Sequence, residues 1–183
     1  FNDDFVLNLQ AGYSWYEKKK QTYLNDLVNL KKTLVADADF HDTTTFQMVS
    51  ARGFVSNIPG KIYEYQTGFD FNYESAYGKR TGGYKDITDL SGFMNFVYKP
   101  WPVLNLQPGV RVMYNSNYKA PVVYGFNVKY SPARFVFRAS YARGFRAPSL
   151  KQLYLQFIDN NHEIHGNPDL KAESADNLNV SVN

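Results

Sequence analysis

Hydrophobic and polar residues alternate along most of this chain. In the segment 63–75, five aromatic residues occupy odd positions between Tyr63 and Tyr73, and acids and amides occupy even positions between Glu64 and Glu74. Successive side chains of a β-strand point to opposite faces, so the segment is predicted to be a strand with one aromatic and one polar face. The same alternation predicts about eight strands and no long helix. The segments are 5–15, 44–56, 62–75, 94–98, 104–115, 122–130, 135–141 and 178–182.

Two of these segments need a further decision. In 44–56 the aromatic residues share a face with Arg52, so we assign the apolar side to the other set, which contains Val49, Ala51 and Val55. In 104–115, Pro108 removes a hydrogen-bond donor from the strand, and we expect a β-bulge there.

The strands are long, and their connections differ in length. The segment 62–75 would extend roughly 45 Å at about 3.3 Å per residue, whereas a bilayer-spanning strand needs only about 9 to 11 residues. Short Pro- and Gly-rich turns alternate with longer links, apart from a short link at 115–120. The turns are 56–61, 99–102 and 130–134, and the long links are 18–43, 77–88 and 144–173. This alternation predicts an antiparallel up-and-down meander with tight turns at one end and long loops at the other, as in outer-membrane barrels.

The apolar face has two possible environments. In a soluble β-sandwich or lipocalin-like barrel it lies inside, with residues such as Tyr63, Phe69 and Phe71 buried. In a membrane barrel it meets lipid. Tyr and Trp residues at the strand ends favour the membrane, as does the lack of charge on most apolar faces, because Lys or Arg at the bilayer midplane costs about 2–4 kcal/mol. We therefore expect lipid on the apolar side and a hydrated lumen on the other.

Composition excludes several classes of function. Aromatic residues reach 17%, cysteine is absent, and the net charge of +3 is too small to indicate a nucleic-acid partner. No nucleophile elbow, phosphate-binding glycine loop or zinc spacing occurs, so we expect neither an enzyme nor a bound metal. The acidic segment 37–42 is interpreted as a solvated loop rather than a cation site. Lys18 to Lys20 are either solvated or in contact with lipopolysaccharide.

Two blocks near the end of the chain resemble a known family. The block "YARGFRAPSLKQLY" (141–154) resembles the FRAP segment of the TonB-dependent outer-membrane receptors, and "GNPDLKAES" (166–174) resembles their NPNL segment, with Asp in place of the second Asn. The resemblance implies a barrel of about 22 strands. It also implies a plug domain that engages TonB, and uptake of a scarce ligand through the bacterial outer membrane. We expect residues 1–183 to be a late portion of such a barrel, without the plug.

The resemblance also implies candidate site residues. The blocks themselves supply Phe145, Arg146, Ala147 and Pro148, and then Asn167, Pro168, Asp169 and Leu170. Their other interpretation is that they anchor loops, and "PSLKQLYLQF" is predicted to form a short helix with Leu150, Leu153 and Phe157 on one face. Haem receptors of this family carry a histidine between the blocks, so His162 or His165 is the candidate haem ligand. His41 is a weaker second candidate.

Several alternatives stay open at this point. The cargo is expected to be an iron complex, with haem first and a ferric siderophore next, whereas cobalamin or an oligosaccharide would suit the same fold. No cofactor is expected beyond haem as cargo.

A complete eight-stranded barrel acting as an anchor or adhesin would instead pair its first strand with its last. A barrel fragment exposes two sheet edges, so we expect self-association in water. Lumenal charges, among them Arg111 and Asp70, are expected to pair with one another or with a plug.

Overall fold

One antiparallel sheet dominates the structure. The computed structural model describes residues 5–57, 59–60, 62–158 and 162–183. Eight strands follow one another in the sheet in the order of the chain, as an up-and-down meander. They are β1 (Phe5–Lys20), β4 (Asp42–Asn57), β5 (Tyr63–Gly78), β6 (Gly83–Trp101), β7 (Leu104–Asn115), β8 (Val123–Tyr130), β9 (Phe137–Arg146) and β12 (Glu173–Val182). The predicted all-β fold class and meander are confirmed.

The loops add small elements. Two short hairpins, two 3-10 turns and one helix lie between the long strands. They are the pair β2 (Tyr23–Asp26) and β3 (Lys31–Leu34), the pair β10 (Gln156–Ile158) and β11 (Glu163–His165), the 3-10 turns Ala38–Phe40 and Lys79–Thr81, and α1 (Leu150–Tyr154). Among the described residues, no helix is long and apolar enough to cross a bilayer.

The strand register aligns the apolar positions of neighbouring strands. Ala11 pairs with Ala51, Ala51 with Phe71, Phe71 with Leu90, and Leu90 with Tyr114. Paired residues share a face of the sheet, so one face is apolar across the whole sheet, and the assignment made for segment 44–56 is correct. We call the side that carries these five residues the apolar face, and the side that carries Arg52, Asp70 and Arg111 the polar face.

The apolar face is exposed. Leu9 and Val180, near opposite edges of the sheet, are 68% and 73% exposed, and Tyr63 and Phe69 are also exposed while Phe71 is half-buried. A soluble β-sandwich would bury this face, which argues against that alternative. An apolar face left exposed is what a membrane barrel presents to lipid.

Aromatic residues lie at both ends of the apolar face. At the end with the tight turns, the rings of Tyr63 and Tyr98 stack with centroids 5.2 Å apart. At the end with the longer loops, the rings of Tyr124 and Tyr141 lie 5.9 Å apart. Amphipathic rings at two levels, with apolar residues between them, match the aromatic girdles of membrane barrels.

A small buried cluster lies on the polar face. Ala76 and Ile87 belong to this face because Ala76 pairs with Lys85 and Ile87 with Glu74, and both pack against Leu150 and Leu153 of α1. Partly buried side chains complete the cluster: Phe46, Tyr118 and Tyr154. The connection between β9 and β12 therefore folds back over the polar face near the strand ends.

One sequence prediction about a connection is wrong. The link 77–88 is a tight turn, because β5 and β6 stay paired up to Gly78 and Gly83. Gly82 and Gly83 have φ values of 65° and 98°, which glycine adopts without strain. Strict alternation of short and long links therefore fails, and the extra length belongs to β6.

Pro108 does not form the predicted bulge. It pairs in register with Phe126 of β8, whereas the register shift between β6 and β7 lies between Tyr98 and Trp101. The reason lies in the local sequence, since Pro100 and Pro102 flank Trp101 and remove two ladder donors beside the turn.

The sheet has two edges, β1 and β12. In the part of the chain that the structure describes, β1 pairs with β4 and β12 with β9, and the two edge strands do not pair with each other. The alternative of a closed eight-stranded barrel, which required that pairing, is therefore not supported.

Candidate functional site

A charged network crosses the middle of the polar face. Asp70 of β5 accepts from Arg52 Nε of β4 at 2.9 Å and from Arg111 Nη1 of β7 at 2.7 Å. Arg111 also donates to Ser91 Oγ at 3.0 Å, and both guanidinium groups lie over the ring of Phe93, 5.7 and 5.1 Å from its centroid. Four adjacent strands thus contribute to one network.

This network carries a net positive charge, because two guanidinium groups share one carboxylate. Arg111 and Asp70 were both expected to pair with another lumenal charge or with a plug, and they pair with each other. Sequence analysis missed Arg52 as the second partner: it assigned Arg52 to the polar face of segment 44–56, and the strand register places it beside Asp70. Toward the tight turn after β8, Lys129 and Arg138 are register neighbours of like charge on the same face. The polar face therefore offers excess positive charge to whatever it encloses.

The first family block leads from β9 into α1. Phe145 and Arg146 are the last residues of β9 and pair with Ser174 and Glu173 of β12. Ala147 and the buried Pro148 form the bend that follows.

Helix α1 begins at a capping box. The hydroxyl of Ser149 accepts from the Gln152 backbone N–H, and the Gln152 side chain accepts from the Ser149 N–H at 3.0 Å. The helix is confirmed but ends at Tyr154, so Phe157 lies in β10 rather than on the helix.

The second block closes onto the same helix. The Asn167 N–H donates to Gln152 O at 2.9 Å, and Asn167 Oδ1 accepts from the Asp169 N–H at 2.9 Å, which makes a turn around Pro168. Leu170 O accepts from the Tyr118 hydroxyl at 2.9 Å.

The approach of this block to the helix requires a glycine before it. A Cβ on Gly166 would lie 2.6 Å from Tyr154 N. The structure thus brings both blocks together around α1, as loop anchors would.

Burial affects one titratable group in this loop cluster. Tyr118 follows the end of β7, and burial raises the pKa of its hydroxyl above the usual 10.0, with a smaller contribution from Tyr154. Its neutral hydroxyl can therefore hold Leu170 O over the ordinary pH range.

The two candidate haem ligands lie in the β10–β11 hairpin region, and both are exposed. His165 Nε2 lies 3.2 Å from Glu163 Oε1, and the ring of His162 lies 6.0 Å from the Phe157 ring between centroids.

His41 is placed differently. Its Nδ1 accepts from the Thr22 N–H at 3.3 Å and its Nε2 lies 2.7 Å from Val35 O. Both nitrogens of His41 are engaged by the loop, so it is not an available iron ligand.

Cations and aromatic rings alternate at the loop end of the polar face. Lys18 and Arg80 lie over the Phe157 ring at 5.4 and 5.0 Å. Further along, Lys85 lies 4.9 Å from the Tyr154 ring centroid, and a similar contact joins Lys151 to Phe46 at 5.4 Å. We call this cluster the basic-aromatic mouth: Lys18, Phe46, Arg80, Lys85, Lys151, Tyr154 and Phe157.

The side chain of Asp42 is buried, whereas the acidic segment 37–42 was expected to be a solvated loop. The side chain is only 9% exposed, and its Oδ2 binds Arg80 Nε at 2.9 Å and the Thr44 hydroxyl at 2.8 Å. No sequence spacing signals a pair 38 positions apart, and the pair forms because β5 and the turn after it return the chain to the start of β4. The side chain of Asp39, in the same segment, lies outside the described residues.

Comparison with known proteins agrees with this architecture. The whole chain, residues 1–183, matches the family described as TonB dependent receptor-like, beta-barrel. No curated protein matches. The siderophore receptor PirA from Pseudomonas aeruginosa is similar over 99% of this chain and 40% of its own, with 16% identity and a TM-score of 0.68. PirA from Acinetobacter baumannii is 15% identical over 96% of this chain and 30% of its own, with a TM-score of 0.67.

A third structure gives the same picture. A variant of the ferric enterobactin receptor PfeA from Pseudomonas aeruginosa has a TM-score of 0.74 and 16% identity over 98% of this chain and 30% of its own. At such identities the likeness concerns the fold, and the chain spans 40% or less of these receptors. The eight strands correspond to part of a receptor barrel, and the chain belongs to the TonB-dependent receptor-like β-barrel family.

Proposed function

We propose that this chain forms part of an outer-membrane transporter that takes up an iron complex, with a ferric siderophore as the first candidate. The observation that carries the proposal is the match of the whole chain to the TonB-dependent receptor barrel family. The proposed transporter includes a plug domain outside residues 1–183 that engages the TonB complex of a bacterial cell.

The two faces of the sheet support this role. The exposed apolar face, with its aromatic girdles, would contact outer-membrane lipid, because only apolar side chains are stable at that depth. The polar face would line the passage and contact the plug. Its arginines over Asp70 would hold charge in a hydrated interior, where the cost of desolvation is small.

The charge of the polar face supports an anionic cargo. The basic-aromatic mouth joins cations to ring faces, which suits an iron complex that carries negative charge and aromatic groups. Two of the similar structures are named as a siderophore receptor and a ferric enterobactin receptor. We therefore place ferric siderophores of this chemistry ahead of cobalamin and oligosaccharides.

Uptake in iron-starved cells tests the proposal. Cells that lack the intact receptor should fail to accumulate radioactive iron supplied as a ferric catecholate, and the wild-type gene should restore uptake. A protonophore should abolish that uptake, because transport of this kind draws on the proton-motive force. Uptake that persists without the receptor, or that a protonophore leaves unchanged, would contradict the proposal.

Haem is the second candidate cargo. The specific observation in its favour is that His162 and His165 both expose their side chains in the loop between the two blocks. A neutral imidazole is a natural axial ligand of haem iron. At His165 the iron would bind the ring nitrogen that Glu163 does not engage.

The double substitution His162→Ala and His165→Ala separates the two cargoes. In the intact receptor we expect it to abolish growth on haem as the only iron source. Growth on a ferric siderophore should remain and serves as the control for folding and export. Unchanged growth on haem would remove the haem assignment and leave the transporter.

A further inference from the structure

A row of hydrogen-bond donors crosses the polar face beside the tight turns. It consists of Asn105, Lys129, Arg138 and Ser181, which are register partners on β7, β8, β9 and β12. We call these four residues the donor row. Lys129 and Arg138 are both exposed, so a group that lies over the polar face can reach them. The row therefore offers two positive charges at one level of this face.

The two cations of the row lie directly opposite each other. Side chains of register partners have Cβ atoms roughly 4.5–5.5 Å apart, and like charges in such a pair destabilise a sheet. Other cations of the polar face pair with acids: Arg52 and Arg111 with Asp70, Lys99 with Glu64, and Arg80 with Asp42. Within the described part of the chain, neither Lys129 nor Arg138 has an acidic partner.

The surrounding strands do not supply a counter-charge. The polar positions of β7, β8, β9 and β12 carry one acid, Glu173, and it lies at the loop end, 3.6 Å from Arg146. Toward β5, Glu64 is bound by Lys99 and by the Gly60 N–H. A counter-charge for the donor row therefore has to come from outside these strands.

The position of the row favours a permanent partner over the cargo. The repulsion between its two cations is present whether or not cargo is bound. The basic-aromatic mouth lies at the opposite end of the strands, and β7 alone has 12 residues, which extend roughly 40 Å at about 3.3 Å per residue. A small molecule held at the mouth is thus too far away to offset this repulsion.

We propose that the donor row docks an acidic segment of the plug, with one carboxylate held between Lys129 and Arg138. An arginine fork can bind both carboxylate oxygens, and the lysine adds a second charge-assisted hydrogen bond. The assignment rests on the proposed function, which includes a plug outside residues 1–183. The similar receptors are long enough to contain further domains, since this chain covers 40% or less of their length.

Carbodiimide cross-linking of the purified intact receptor, without cargo, tests the contact. The reagent joins a lysine amine to a carboxylate only where the two groups touch. Lys99 and Glu64 are the positive control, because they form an ion pair on the polar face beside the tight turns. We expect peptide mass spectrometry to find Lys99 joined to Glu64, and Lys129 joined to an Asp or Glu of the plug.

Several results of this experiment would overturn the proposal. In each of them Lys99 is joined to Glu64, which shows that the reagent reaches this end of the lumen. Lys129 is then joined to nothing, to an acid within residues 1–183, or to an acid of another barrel strand. A link to Lys129 that forms only after a ferric siderophore is added would assign the row to the cargo instead.

Neutralising one cation gives an independent test through the sign of its effect. Without a docked carboxylate, Lys129→Gln relieves repulsion and should not loosen the plug. With one, it removes a charge-assisted hydrogen bond, and hydrogen exchange of the cross-linked plug segment should become at least about tenfold faster. Slower or unchanged exchange would contradict the docking.

Arg134→Gln is the matched control. Arg134 lies in the turn between β8 and β9, so the substitution removes the same charge close to the donor row but outside the sheet. Exchange of the plug segment should stay at the wild-type rate. Equal acceleration in Arg134→Gln and Lys129→Gln would show a general effect of charge and overturn the proposal.

Iron uptake by cells separates this proposal from the proposed function. Normal uptake of a ferric catecholate by a receptor without the Lys129 cross-link removes the docking proposal only. A cross-link from Lys129 to the plug in a receptor that takes up no iron complex removes the transport proposal only.

Discussion

Phe126 offers a direct test of which face meets lipid. It lies in the middle of β8 on the apolar face, between Tyr124 and Tyr130, and its register partners are Pro108 and Tyr141. Its side chain is 43% exposed. In the membrane, lipid would cover it.

The substitution Phe126→Arg places a cation in this position. An arginine near the bilayer midplane costs about 2–4 kcal/mol, which corresponds to a reduction of about 30- to 700-fold in the folding equilibrium constant. The adjacent Asn127 provides the control, since it is also exposed but points to the polar face between Gln107 and Ser140. Asn127→Arg should change stability by about 0.5 kcal/mol or less, as exposed substitutions usually do.

Urea titration of the intact receptor refolded into lipid vesicles measures both variants. The folded form is resolved by its anomalous gel mobility, and the free energies of unfolding are compared with wild type. A large loss for Phe126→Arg with a small one for Asn127→Arg is expected. Equal losses, or a larger loss at Asn127, would refute the assignment of the apolar face to lipid.

Three further predictions concern the polar face and its loops. Asp70→Asn should destabilise the receptor by about 1–3 kcal/mol in the same titration, because two guanidinium groups lose their shared carboxylate; no change would show that solvent screens the network. Gly166→Ala should loosen the second block, because the added Cβ would lie 2.6 Å from the backbone nitrogen of Tyr154. Limited proteolysis should therefore cut the second block faster in Gly166→Ala than in the control Gly92→Ala, where the atom nearest to the added Cβ is 4.0 Å away. The raised pKa of Tyr118 means that its contribution to stability is complete below the unfolded value of 10.0 and is lost as pH rises through the folded pKa. Proteolysis of the loop should therefore accelerate above pH 10 in wild type, and a Tyr118→Phe variant that accelerates equally would contradict this cause.

The strands and their faces follow from the sequence because both depend on local periodicity. Alternation in a segment such as 63–75 specifies a strand and its two surfaces, and the lack of charge on most of the apolar faces favours lipid over a dry core. The short helix could also be predicted from the sequence, because a Ser three positions before a Gln is a local capping signal. The paired blocks at 141–154 and 166–174 gave the family.

Tertiary structure decided what depends on pairing between distant segments. The partners of Asp70 lie on β4 and β7, and only the register brings Arg52 and Arg111 to one carboxylate. The buried pair of Asp42 and Arg80 likewise joins positions whose separation carries no signal. The length of the turn after β5 was misjudged because alternation fades where both faces become polar, although backbone pairing continues there. Local patterns encode which way side chains point, but contacts between strands depend on their register, and that is a property of the whole sheet.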